Sequence, residues 1–534
     1  MIPIYIFISF PIIAASGTYL VRTKFNKSIL LILQFILFVG SIFQFIYVKY
    51  NGTITTTLGH YPRGIGITLS VDLMASVFVM LTVFLFTCMF VYNFQKNYMN
   101  HLFLFLFLIL QGLINGVFMS TDFFNLYILI EVSTIVVSIL IMFKKDSRSI
   151  YDGMLYLLIN IVAMTFFLIG TGYLYKIFGT LDMTVIFNYM PEVKDIRSLI
   201  LPYCLIITAI SLKSAVMPLF SWLPRAHGTY SSPSIISAIL SGLYVKCGIY
   251  LYIRIQHVFS PAFDTTTIFL VMGFLTAVVG FIFALSQTDI KLILSYHTIS
   301  QIGLIIFGLS LNNQYSYWGS IYHIMNHAIF KSALFLTAGI IIETYETRDI
   351  RHIRGVFRRM PFVSIFTFMA ILGITGAPFF NGSISKYLIQ KGSYISLLDY
   401  GLIFINLGTI ISFVKYMSIF RGDYQGEPHR PPINQRIVIV VLGTLCLLGG
   451  IFGKQFISLL FNINMDIHIT YEKYLIKGLL YVASIGVGLI FYIFLYQKIS
   501  FFKRIRELNL SFNQICLSIT LFFTGLLSLM LILY

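Results

Sequence analysis

Lys213-Ser-Ala-Val-Met-Pro218-Leu-Phe-Ser-Trp-Leu-Pro224 is the stretch that decides the fold, and it follows an apolar run that begins near Leu199. Pro218 removes a backbone donor and frees a carbonyl about one turn after the lysine, so the helix cannot continue regularly. A bilayer tolerates a broken helix bearing a cation only where protein or a hydrated cavity encloses it. The stretch therefore predicts a segment that handles ions, if its surroundings are membrane.

They are. Of 534 residues, 58% are hydrophobic, 10% are charged and 52 are Phe, which excludes a soluble globular protein. Apolar stretches of roughly 20 residues, each able to cross a hydrocarbon core about 30 Å thick, begin near Ile2, Ser28, Val71, His101, Asp122, Asp152, Leu199, Ser232, Phe263, Leu292, Ser320, Pro361, Leu398, Asn434, Tyr474 and Phe512. The net charge of +17 would suggest nucleic acid only as a patch on a soluble domain, and the chain offers no such domain, so no nucleic-acid partner is expected. Most Lys and Arg fall in odd-numbered loops, led by Lys144/Lys145/Arg148 and Arg348/Arg351/Arg354/Arg358/Arg359. By the positive-inside rule those loops are cytoplasmic, which predicts a multi-pass protein of the prokaryotic cell (inner) membrane with both termini outside. The first segment has its basic residues after it rather than before it, the reverse of a signal peptide, and is expected to be retained. Cys88, Cys204, Cys247, Cys446 and Cys516 are scattered without CxxC spacing, so they read as packing residues rather than a disulfide framework or an iron-sulfur site.

Glu131, Lys213, Lys246, Lys331, Lys386 and Lys415 all lie inside apolar stretches, where each ionisable group costs about 3 kcal/mol or more. Glu131 lies nine residues after Asp122, about 13 Å into its helix and near the midplane. Lys213 is its natural partner, either as a transport pair or as a static structural ion pair. Segment 12 repeats the interruption: Thr375-Gly376-Ala377-Pro378 breaks an apolar run and Lys386 follows. Two broken helices five segments apart predict an internal repeat, segments 4 to 8 against 9 to 13, and the odd offset inverts membrane direction. The expected fold class is an all-α polytopic membrane protein with about 14 core transmembrane helices, two inverted five-helix repeats containing broken helices, and about two extra C-terminal helices. The expected division is 1–100 for the first three helices, 101–257 and 258–421 for the two repeats, each a half-channel, and 422–534 for the C-terminal helices.

His323, His327 and Lys331 recur at i, i+4 and i+8 and project from one helical face. A His pair so spaced can bind a metal or a haem, but a lysine one turn on repels a cation and no carboxylate completes a site. No metal and no cofactor is therefore expected, and the stripe reads as a proton relay. Lys246 lies too far from either end of its segment to snorkel and bridges Lys213 to the stripe. Lys415, six residues before Arg421, reads as a snorkelling lysine. Asp72 and Asp122 start helices and read as dipole-complementing caps.

These residues resemble the antiporter-like subunits shared by Mrp-type sodium/proton antiporters, respiratory complex I and membrane-bound hydrogenases. The resemblance runs through segments 3 to 13. It rests on Asp122-Phe-Phe-Asn-Leu-Tyr-Ile-Leu-Ile-Glu131, on Lys213 to Pro218 with Trp222-Leu-Pro224, Ala226-His227 and the run to Lys246, on Thr288-Asp289-Ile-Lys291 to Ser300-Gln301-Ile-Gly303, and on His323-Ile-Met-Asn-His327-Ala-Ile-Phe-Lys331. It implies a fourteen-helix core of two inverted repeats joined by a polar axis. Glu131 and Lys213 would be the coupled pair, Lys246 the connector, His323, His327 and Lys331 the second half-channel, and Lys386 the terminal lysine. The D-type member of the Mrp antiporters is nearest, while Ala226-His227-Gly228 and Ser232-Pro233-Ser234 are also similar to hydrogenase-type members.

The expected function is proton translocation within a multisubunit membrane complex, by a transporter subunit without its own redox centre. The partners would be other membrane subunits, the lipid bilayer and H+, with Na+ left open because its oxygen ligands could come from any backbone or serine. The alternatives are a proton-pumping subunit of a complex I-like or hydrogenase-type redox complex, an assembly subunit with a vestigial axis, and a membrane redox enzyme holding haem or quinone itself. The two helices beyond the core, too close together for a long lateral helix between them, are expected to dock a neighbour or lipid.

Overall fold

The structure, a computed structural model, describes residues 2–23, 25–228, 232–393, 395–424, 427–465, 471–496, 499–508 and 510–534. In chain order the elements are α1 (Ile6–Leu20), α2 (Asn26–Asn51), a two-stranded antiparallel hairpin of β1 (Ile54–Thr57) and β2 (Thr68–Val71), α3 (Leu73–Asn93), α4 (His101–Met119), α5 (Phe123–Ile141), α6 (Ser147–Phe178), α7 (Met183–Tyr189), α8 (Ile200–Lys213), α9 (Trp222–Gly228), α10 (Ser234–Ile239), a π turn (Leu240–Tyr244), α11 (Val245–Phe259), α12 (Thr266–Ser286), α13 (Ile290–Leu309), α14 (Gln314–Tyr345), α15 (Val356–Arg359), α16 (Pro361–Thr375), α17 (Asn381–Lys391), α18 (Ser396–Tyr416), α19 (Ile433–Ile451), α20 (Gly453–Phe461), α21 (Tyr471–Ile490), α22 (Ser500–Arg506) and α23 (Phe512–Leu533). Among the described residues 14 spans are long and apolar enough to cross a membrane, and the shorter apolar helices α1 and α16 complete the set read from the sequence.

Helix starts follow the sequence closely. Asp72, Asn100, Asp122, Asp146, Asp182, Asp289 and Asn313 cap α3, α4, α5, α6, α7, α13 and α14, each accepting a backbone N–H with its side chain. A free N–H at the end of a membrane helix otherwise has no partner, so short polar side chains concentrate there. Asp72 and Asp122 are such caps, and Asp72 also takes Arg254 at 2.7 Å.

The chain packs as two units, 1–232 with 244–264 and 510–534, and 233–243 with 265–509. Each contains the same local device. In the first, Phe123 N–H donates to the Leu181 carbonyl (3.0 Å) and Met183 N–H to that of Thr121 (2.8 Å); in the second, Ile290 N–H donates to Arg348 (2.8 Å) and Ile350 N–H to Thr288 (2.9 Å). The bridged pairs Asp122/Asp182 and Asp289/Asp349 therefore share one spacing along the chain. That register sets Thr298 of the second unit at the position Glu131 holds in the first. The repeat is legible in backbone bonds although side-chain identity between the halves is weak.

Packing of the second unit depends on close helix approach. A Cβ on Gly303 of α13 would lie 2.2 Å from the Ala277 nitrogen of α12, so only glycine lets these helices pack at this separation. Of the two C-terminal helices, α23 packs on α8 and α6 in the first unit, and α21 packs on α18 in the second.

Candidate functional site

In the first unit α8 stops at Lys213. Ala215 adopts a left-handed conformation (φ 55°), a strain of about 1 kcal/mol or more for a residue with a Cβ. The carbonyls released by the break are taken up locally. Ala215 N–H and the Trp222 indole N–H both donate to the Leu212 carbonyl (2.9 and 2.8 Å), and Val216 N–H donates to Ser211 (2.9 Å). The Lys213 side chain is thereby presented from a fixed helix terminus, 5% exposed.

The Lys213 ammonium donates to Thr134 Oγ1 at 2.6 Å, one turn beyond Glu131 on α5, and lies 5.6 Å from the centre of the Tyr244 ring. Tyr244 OH is within hydrogen-bond distance of Ser133 Oγ (3.0 Å) and Thr134 Oγ1 (3.2 Å). Glu131 is half-buried, and its Oε2 has no hydrogen-bond partner among the described residues. The link from Lys213 to the Glu131 helix is thus a threonine hydroxyl. Tyr244 closes the π turn, and Lys246, fully buried, follows two residues later. A π turn inside a helix shifts the register of the side chains after it and is frequent at functional positions.

In the second unit the stripe on α14 is completely buried at His323, His327 and Lys331. His323 is held at both ring nitrogens, Nδ1 at 2.8 Å from Ser385 Oγ and Nε2 at 3.0 Å from Gln301 Oε1. The His327 ring centre lies 6.4 Å from that of His323, and Phe330 packs against both rings. Lys331 donates to the Leu294 carbonyl at 2.6 Å. Ser385 immediately precedes Lys386, so the stripe reaches the helix of Lys386 through one hydroxyl.

Lys386 shows what the second helix break accomplishes. Pro378 has no N–H, so the Ile374 carbonyl lacks its usual helical donor, and the Lys386 ammonium supplies one at 2.7 Å while also donating to Asn406 Oδ1 at 2.7 Å. The approach is tight: a Cβ on Gly382 would lie 1.9 Å from the Gly373 carbonyl.

Lys415 requires a correction. It is 1% exposed and does not snorkel. Its ammonium donates to the carbonyls of Ala284 (3.0 Å), Leu285 (2.6 Å) and Gln287 (2.5 Å), while Arg506 Nε takes Ser286 (2.7 Å). Two basic side chains thus close the C-terminal end of α12, where the backbone dipole favours positive charge.

Several side chains passed unweighed in the sequence: Thr134, Tyr244, Ser385, Asn406 and His297. His297 is fully buried, 2.6 Å from Ser412 Oγ and stacked 4.5 Å from Phe413. The available signal was His297-Thr-Ile-Ser-Gln301, a polar cluster inside an apolar segment, and Ser133-Thr134 beside Glu131.

The family model described as NADH:quinone oxidoreductase/Mrp antiporter, TM, matches residues 120–412, more than half of the chain. The D-type Na(+)/H(+) antiporter subunit of Alkalihalophilus pseudofirmus is 30% identical over 426 residues, covering 77% of this chain and 85% of the relative. That of Bacillus subtilis is 27% identical over 408 residues, covering 74% and 80%. Among solved structures, a chain of the Mrp complex from Dietzia sp. superposes with a TM-score of 0.79 at 21% identity, over 89% of this chain and 99% of that one. With the residue blocks and the fold in agreement, the chain belongs to the transmembrane family of NADH:quinone oxidoreductases and Mrp antiporters, and within it is most like the D-type subunits of the Mrp antiporters.

Proposed function

We propose that this chain is the D-type subunit of an Mrp-type monovalent cation/proton antiporter of the cell membrane, working with other membrane subunits and moving H+ along Glu131, Lys213, Lys246, His323, His327, Lys331 and Lys386. The half-channels are assigned to 101–257 and 258–421, and both termini to the outside on the loop-charge asymmetry. The observation that carries the reading is the construction around each broken helix. Lys213 and Lys386 each sit at an interruption, each with an uncharged oxygen as hydrogen-bond acceptor, and each beside a hydroxyl that leads to the next protonatable group.

In the first unit a proton leaving the Lys213 ammonium has the hydroxyls of Thr134 and Tyr244 before it, and Lys246 follows Tyr244 by two residues in the sequence. In the second unit His323 accepts from the Ser385 hydroxyl when neutral and donates to it when protonated, so one geometry serves both states. Glu131 sets when Lys213 holds its charge. A carboxylate brought to about 4 Å would stabilise the ammonium by on the order of 4 kcal/mol at an effective dielectric near 20, and its withdrawal lets the proton go.

The test is cation-dependent proton flux by the complex in proteoliposomes, with co-purification of the other subunits as the assembly control. Lys213→Ala and Glu131→Ala abolish flux and leave assembly intact. Normal flux in either variant rejects the axis, and loss of assembly in both assigns these residues to structure.

A further inference from the structure

Lys477 lies near the start of α21, outside the segments that carry the family match, and its surroundings are those of Lys386. Its ammonium sits over the Tyr387 ring, 3.4 Å from the centre, and Tyr387 is the neighbour of Lys386 on α17. One turn further along α21, the Tyr481 hydroxyl is 2.7 Å from Thr375 Oγ1, beside the Ile374 carbonyl that holds Lys386. These contacts border a cavity of about 230 Å³ lined by Lys386, Lys477, Tyr481, Ser383, Gln390 and Asn406 among others. At about 30 Å³ per water, with polar groups on several sides, such a space holds a short water chain. Lys386 donates two of its three N–H groups to Ile374 and Asn406, which leaves one for the cavity.

We propose that Lys477 is the outermost protonatable group of the path. A proton leaving Lys386 crosses the cavity on water to the neutral Lys477 amine; the ammonium so formed releases it to the outer aqueous phase and returns to the amine. This rests on the reading of Lys386 as the end of the axis and on the orientation proposed above, which sets the start of α21 toward the outside. A lysine so near a helix end ordinarily snorkels to the interface. Lys477 instead turns onto an aromatic ring and lines a cavity that contains the terminal lysine. Among the described residues, the titratable groups facing it are Lys386 and Tyr387 from α17 and Tyr481 from α21 itself, and α13 and α18 contribute apolar side chains and Asn406 to the lining.

The experiment measures proton flux by the assembled complex in proteoliposomes against outer pH, for Lys386→Gln, Lys477→Gln, Lys477→Arg and Lys477→His. Lys477→Gln lowers turnover by about a hundredfold, the low end of what a positioned proton carrier contributes, with the half-saturating cation concentration unchanged. Lys477→Arg keeps the charge and the ring contact but cannot release a proton, so it fails equally, while Lys477→His restores flux with its pH optimum displaced toward acid. Normal flux in Lys477→Arg or Lys477→Gln overturns the proposal. If Lys386→Gln is silent and Lys477→Gln active, only this inference falls; if Lys386→Gln transports normally, the terminal role of Lys386 falls with it.

Discussion

Lys415→Met separates a structural lysine from a transporting one. The substitution keeps length and apolar stem but removes a donor shared by three buried carbonyls, those of Ala284, Leu285 and Gln287. A buried acceptor left without a partner costs about 1–3 kcal/mol, so three cost roughly 3–9 kcal/mol. Deleting a buried charge returns several kcal/mol of desolvation, and Arg506 still holds Ser286 at the same helix end. The net is a loss of about 3 kcal/mol. At about 2–4 °C per kcal/mol for a unit of a few hundred residues, the thermal midpoint of the purified complex falls by about 6 °C or more, with unfolding followed by size-exclusion fluorescence. Lys386→Met orphans one backbone carbonyl and the Asn406 amide oxygen, and the same balance of lost contacts against returned desolvation comes out near zero, so its midpoint moves less than that of Lys415→Met while its transport is lost. A Lys415→Met complex with an unchanged midpoint and abolished flux would refute the capping role and add Lys415 to the relay.

Two further substitutions probe the breaks themselves. Thr134→Val removes the acceptor of Lys213 without changing shape, and flux falls by about 10- to 100-fold, the equivalent of one charge-assisted hydrogen bond; a wild-type rate in proteoliposomes would remove the hydroxyl from the path. Gly382→Ala places a methyl 1.9 Å from the Gly373 carbonyl, so the start of α17 must shift and the yield of assembled complex drops several-fold, whereas full assembly with full flux would show that the break tolerates looser packing.

The spans were legible because an apolar run of sufficient length has one outcome in a bilayer. The breaks were legible because proline deletes a donor wherever it stands: Pro218 and Pro378 marked the interruptions. What the sequence did not show was the partner of each charge. Glu131 and Lys213 look complementary on paper, yet the lysine reaches Thr134, because where a side chain lands depends on how two helices are rotated and staggered. Lys415 was misread for a related reason. Sequence distance from Arg421 suggested the interface, whereas the packing of α18 against α12 placed the ammonium on a helix terminus. The surroundings of Lys477 were not legible because they depend on α21 packing beside α18, which no local pattern encodes.

Three lysines of the second unit share one chemistry. Lys331 is held by the Leu294 carbonyl, Lys386 by that of Ile374 and Lys415 by three more, so each rests on backbone oxygen. A carbonyl steadies an ammonium by about 1.5–3 kcal/mol, against on the order of 4 kcal/mol for a carboxylate at 4 Å and an effective dielectric near 20. A path made only of carboxylate-locked lysines would hold its protons too firmly to pass them on, and one without any acceptor could not keep them in the membrane. Carbonyls occupy the middle of that range; the one that holds Lys386 is freed by Pro378 and those that hold Lys415 by the end of α12, whereas Leu294 lies inside α13. Glu131, the carboxylate of the proposed axis, belongs to the first unit, where the second has Thr298 in the same register. Control of proton release is therefore expected at the Glu131 end, with the second unit acting as the conductor.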